Sequence, residues 1–266
     1  MVIFAALLMA GCRGTPKTFT TDRPHSHSVN AEYFHVYSNF PIAPDSDLIE
    51  NLKELREQIS ATLELPKQRD PVAVYLFEDE ASYRRYMQTT WPDLPPRRAY
   101  FVGTSRELAV YSYHGPRVQE DLRHEFTHGL LHASLQTVPL WLDEGLAEYF
   151  EVEGSPAHVH PEHLRHLQDA RAEGWSPSLY SLESITDFRQ LTQRDYAEAW
   201  GWVHYLLHDN ESARQVLVSY VAGLRENSVP NRLLLPLEAA VPACHTAMPG
   251  HVNRLAENVS LAGARP

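Results

Sequence analysis

The chain has 266 residues, 43% hydrophobic and 10% aromatic, enough apolar side chain to build a packed core in one large domain or two small ones. Acidic residues outnumber basic ones by 34 to 23, and no dense run of Lys and Arg occurs that would neutralise phosphates, so nucleic acid is excluded as an expected partner. The two cysteines, Cys12 and Cys244, show none of the paired spacings of a disulfide framework or a structural zinc site.

Residues 1–11, MVIFAALLMAG, are apolar. The run is too short to span a bilayer and has the length of a signal-peptide core. With Cys12 it forms LLMAGC, which resembles a bacterial lipoprotein box. The resemblance implies a signal peptide over 1–11, lipid on Cys12 and attachment to the bacterial cell envelope. A polar tether is expected over 12–30, and Cys244 reads as a small buried apolar residue.

Aromatic and β-branched residues at 32–40 predict a first strand. Asp45 or Ser46 can cap the amphipathic helix that follows, in which Leu48, Leu52, Leu55, Ile59 and Leu63 recur at helical spacing. A second strand is predicted at 71–79 and a short helix at 80–88. Three prolines in 91–96 remove the donors that a helix or a ladder needs, so this stretch is a loop. Strands at 98–103 and 107–113, separated by TSR, read as a hairpin. From Pro116 onward the pattern is helical. Strands first and helices afterwards predict an α+β protein, with a small N-terminal mixed sheet and packed helices over 31–155 and a helical second half over 156–266 closing a cleft.

Residues 117–135 contain H-E-x-x-H, formed by His124, Glu125 and His128. Helical positions four apart stack on one face, so Leu122, Phe126 and Leu130 make an apolar ridge and His124, His128 and His132 the opposite stripe. Two imidazoles at i and i+4 can reach one ion at about 2.0–2.1 Å, while Glu125 projects beside them and can accept a proton from water. With 15 histidines in the chain, the motif alone is not decisive. Further support stands at 139–150, PLWLDEGLAEYF. There Leu142, Leu146 and Phe150 form a ridge, and Glu144 and Glu148 the opposite stripe.

H-E-x-x-H followed by W-L-x-E-G-x-A-x-Y resembles the gluzincin group of zinc metallopeptidases, and is most similar to its small bacterial peptidase-like domains. The resemblance implies a zincin-like fold, Zn2+ held by His124, His128 and Glu144, and Glu125 as general base. Glu148, four beyond the third ligand, matches the acid that orients a ligand histidine. It further implies a peptide or protein substrate and places 107–115 as the edge strand that pairs with the substrate backbone. No counterpart of the G-x-M-E-N segment that holds a free α-amine precedes the motif helix, which favours endopeptidase over aminopeptidase activity.

An oxyanion needs a donor beyond the metal. Tyr196, in a helix that Asp195 can cap, is similar in context to the catalytic tyrosine of the aminopeptidase N family, with His204 and His208 in reserve. Its bland reading is an aromatic packed in an interface. His158, His160, His163 and His166 lie among prolines with no acid at matching spacing, and are expected in a solvated loop leading into a helix. Two functions stay open: a zinc peptidase, and a catalytically silent zinc-binding envelope lipoprotein that acts as a binding or scaffolding module.

Overall fold

The computed structural model describes residues 23–66, 68, 70–153, 158–227 and 229–263. The expected signal segment and Cys12 lie outside the described residues. The chain forms two compact units, Met1–Ser60 with Pro66–Ser134, and Ala61–Leu65 with Leu135–Pro266. The WLDEG segment thus belongs to the second unit, whereas the residue pattern predicts it with the sheet, in 31–155.

The first unit holds a five-stranded mixed sheet in the order β1-β2-β3-β5-β4. β1 (His27–Asn30) pairs antiparallel with β2 (Phe34–Ser38), which runs parallel to β3 (Val72–Phe77). β3 runs parallel to β5 (Leu108–Tyr113), and β5 pairs antiparallel with β4 (Tyr100–Gly103). Two expectations are corrected. The polar tether ends early, because His27–Asn30 is a strand: Val29 supplies one buried side chain and β2 supplies a free edge. The stretch 107–115 is not an edge, because β5 is claimed on both sides, by β3 and by β4; among the described residues the edge strands are β1 and, beside β5, β4.

α1 (Asp47–Leu63) joins β2 to β3, burying Ile49, Leu52, Leu55, Ile59 and Leu63, with Ile49 in the place expected for Leu48. α2 (Glu80–Thr90) starts at Asp79, whose side chain accepts from the Ser82 N–H at 2.7 Å, satisfying one of the unpaired donors of the first turn. Alternation sorts the strands by face. Ala73, Tyr75, Phe77, Tyr100, Val102, Ala109 and Tyr111 pack with Tyr83, Tyr86 and Met87 of α2. Phe34 and Val72 lie on the face carrying α3 (Val118–Ser134), where Phe34 meets Phe126 edge-on.

The second unit is helical: α4 (Leu140–Glu151), α5 (Pro161–Ala172), α6 (Leu179–Ser184), α7 (Gln193–His208), α8 (Glu211–Gly223), α9 (Leu234–Ala240) and α10 (Cys244–Gly263). α7 is its centre, with residues 196–206 all buried. The buried Glu198 carboxylate accepts from the Ser178 N–H at 2.6 Å and from the indoles of Trp175 and Trp202, tying the approach to α6 onto α7. Cys244 is buried, as expected. No helix among the described residues is long and apolar enough to cross a membrane.

Candidate metal and catalytic residues

α3 is no ordinary amphipathic helix: residues 121–131 are buried on every face, polar side chains included. Such burial costs free energy unless the polar groups are paired. Asp121 takes a two-pronged ion pair from Arg98 at 2.7–3.0 Å, Arg123 donates to Asn51 and Gln58 of α1, and the Thr127 hydroxyl donates to the Arg123 carbonyl. Gly129 allows the helix to lie on β3, since a Cβ there would come within 2.8 Å of Val72. These contacts fix the pitch and rotation of the segment that carries the motif.

His124 and His128 are wholly buried, with ring centroids 5.0 Å apart. Phe101 of β4 stacks against His128 at 6.3 Å and against His132 at 5.4 Å. The Phe101 backbone N–H donates to Glu125 Oε2 at 2.6 Å. An edge strand has donors that its own sheet does not use. Here one of them holds one oxygen of the carboxylate expected to act as base. No signal in the sequence pointed to this donor.

In the second unit, Glu144 and Glu148 lie on α4 and are buried. The glycine between them has a packing reason: a Cβ on Gly145 would stand 2.7 Å from the Ala199 carbonyl oxygen of α7. His163 Nε2 lies 2.7 Å from Glu148 Oε2, and the His163 side chain is 3% exposed. The expectation of a solvated histidine loop is therefore corrected for His163. The acid it needs stands fifteen positions earlier, on another helix, where local spacing cannot reveal it. His160 caps α5 and places its Nε2 3.2 Å from Glu151 Oε1.

Tyr196 is buried in the first turn of α7, which starts not at Asp195 but at Thr192; Asp195 closes a capping box with it. The two reserve histidines are engaged inside the second unit. The Tyr149 hydroxyl and His208 Nε2 are 2.8 Å apart; burial raises the Tyr149 pKa, and burial together with His158 lowers that of His208. His204 Nδ1 and His251 Nε2 are 2.8 Å apart, and His251 Nδ1 is 3.4 Å from Asp209, itself paired with Arg254. The first unit thus brings together His124, Glu125 and His128; the second carries Glu144, Glu148 and Tyr196.

Comparisons with known proteins give a partial match. A family model described as "Protein of unknown function (DUF1570)" matches residues 121–228, which include most of α3 and all of α4, α7 and α8. No curated protein matches the sequence. Two solved structures of an M1 zinc metallopeptidase from Deinococcus radiodurans are similar over 86% of this chain. One, a variant bound to a Tyr-Ser-Ala substrate, is 18% identical with a TM-score of 0.43; the other is 16% identical with a TM-score of 0.39. In both, this chain covers 51% of the solved chain, about half its length.

Proposed function

We propose that this protein is a zinc-dependent peptidase in which His124, His128 and Glu144 hold the ion. Glu125 is the general base, Tyr196 the oxyanion donor and Glu148 the acid that orients a ligand histidine. The observation that carries the reading is the arrangement on α3: two wholly buried imidazoles four positions apart, with the intervening carboxylate held by the main-chain N–H of an edge strand. His124, His128 and Glu144 are each wholly buried, as ligands of an enclosed ion would be. Two imidazoles and one carboxylate are a donor set that suits zinc and leaves a coordination position for chemistry.

When bound, zinc supplies Lewis acidity toward the scissile carbonyl and makes its water acidic enough to react near neutral pH. Glu125 accepts the proton of that water and returns it to the leaving amine, while Phe101 keeps the carboxylate from turning away. Tyr196 donates its hydroxyl proton in a hydrogen bond to the developing oxyanion, a term worth about 10²–10³-fold where such donors have been removed. The substrate is a peptide or protein cleaved internally. The same proposal includes lipid attachment through Cys12 at the bacterial envelope and no role in nucleic-acid binding.

Metal analysis of the purified protein and of Glu125→Gln, with cleavage of a broad peptide library by each, tests the reading. We expect one zinc per chain in both, and cleavage reduced about 10²–10⁴-fold by Glu125→Gln. Zinc binding without Glu125-dependent cleavage refutes the enzyme and leaves a silent zinc-binding lipoprotein. Absence of zinc refutes both.

A further inference from the structure

The histidines at 158–166 are not absorbed by the proposed chemistry, yet one of them is almost fully buried against Glu148. We infer that His163 is a positioning residue: it holds the Glu148 carboxylate in the orientation that Glu148 needs to align a ligand histidine. The inference deepens the function proposed above and rests on it.

The geometry is that of a hydrogen bond. Glu148, ionised, only accepts, so the 2.7 Å contact has His163 donating from Nε2. Glutamate has several rotatable bonds, and a buried one that must present a chosen oxygen gains from having the other oxygen fixed. His163 is itself fixed. It lies in the first turn of α5 behind Pro161, its backbone N–H donates to His160 Nδ1 at 3.3 Å, and its ring is tilted against Trp200 of α7, centroids 6.0 Å apart. The Trp200 indole in turn donates to the His158 carbonyl at 3.4 Å, securing the approach to α5 on the same helix.

A competing arrangement is a second metal ion between Glu148, His160 and His163, whose ligand atoms lie within 4.8 Å of one another. Two features disfavour it. Donors sharing one zinc at about 2.0–2.1 Å in tetrahedral geometry stand about 3.3 Å apart, whereas 2.7 Å is a hydrogen-bonding distance. His160 accepts through Nδ1, so its proton sits on Nε2 and points at Glu151. That nitrogen then has no lone pair to offer a metal.

The test compares zinc affinity and stoichiometry in the full chain, by competition with a chromophoric chelator, for the natural protein and for His163→Phe, His163→Leu, His163→Gln, Glu148→Ala and His163→Phe with Glu148→Ala. Circular dichroism checks the fold of each, and the Phe and Leu variants stand in for one another if one does not fold. We expect His163→Phe or His163→Leu to weaken zinc about ten-fold, at the lower end of the about 10–100-fold cost of losing an outer partner. His163→Gln keeps an N–H donor and recovers most of the loss. On the Glu148→Ala background, His163→Phe has no further effect, which a merely structural role would not predict. Unchanged affinity in His163→Phe, or the same loss on both backgrounds, overturns the inference. So does a second zinc that disappears with His163. A natural protein that binds no zinc overturns instead the reading on which the inference stands, and the inference falls with it.

Discussion

Replacing Gly145 by alanine probes the packing that seats the WLDEG helix. A Cβ at this position would lie 2.7 Å from the Ala199 carbonyl oxygen, and 2.9 Å from both the Ala199 carbonyl carbon and Val203 Cγ2. Ordinary carbon contacts need about 3.5 Å, so the α7 backbone has to recede by roughly 0.6–0.8 Å. Overpacking of this kind costs about 1–3 kcal/mol, and a rigid backbone obstacle puts it in the upper part of that range. Alanine returns about 1 kcal/mol through its higher helix propensity. The net expectation is a loss of about 1–2 kcal/mol, or a fall of roughly 2–8 °C in Tm for a chain of this size. Gly201→Ala is the control: there the nearest atoms are the ends of flexible side chains, Met248 Cε at 2.7 Å and Leu167 Cδ1 at 2.9 Å. Those can yield, so the expected change is within about 1 kcal/mol. Urea unfolding and calorimetry measure both variants. If Gly145→Ala is as stable as the natural protein, or if Gly201→Ala is the more damaging, the argument from backbone contact is wrong.

Three further outcomes are expected. His124→Ala should lose zinc at concentrations where the natural protein is saturated, as measured by metal analysis after dialysis; retained unit stoichiometry would remove His124 from the ligand set. Tyr196→Phe should keep its zinc and lose about 10²–10³-fold in kcat, and an unaltered kcat would reduce Tyr196 to a packing residue. Stability should fall in mild acid. Burial holds His251 at about 4 in the folded chain, with Asp209 pulling the other way, against about 6.5 when unfolded. The unfolded chain therefore takes up a proton that the folded chain refuses, so this contribution is full above pH 6.5 and drains away as pH falls toward 4. The loss is at most about 3 kcal/mol. Urea midpoints at pH 7 and pH 4.5 measure it, and His251→Gln should flatten the difference.

The parts of the fold that one helix or strand determines by itself were legible in the residue pattern. The ridges Leu122, Phe126, Leu130 and Leu142, Leu146, Phe150 are all buried, and the hairpin at β4 and β5 is present. What escaped depends on partners distant in sequence. His27–Asn30 has a single inward apolar side chain and becomes a strand only because β2 offers a ladder. Which member of the hairpin lies at the edge is settled by the parallel pairing of β3 with β5, for which local alternation has no sign. Burial of α3 and α4 on all faces was likewise hidden, since their polar residues mimic a solvated face until their partners are known. The link from His163 to Glu148 joins two helices across a connection rich in proline and histidine, a composition that reads as exposed loop.

The contact between the edge strand and Glu125 has a bearing on how this chain tolerates change. A donor that belongs to the main chain is present whatever side chain position 101 carries, so drift at that position can alter the stacking on His128 and His132 without releasing the carboxylate. Proline alone among the common residues has no N–H to give. The Glu125 carboxylate is thus held by the one part of the polypeptide that a side-chain substitution, proline excepted, leaves in place.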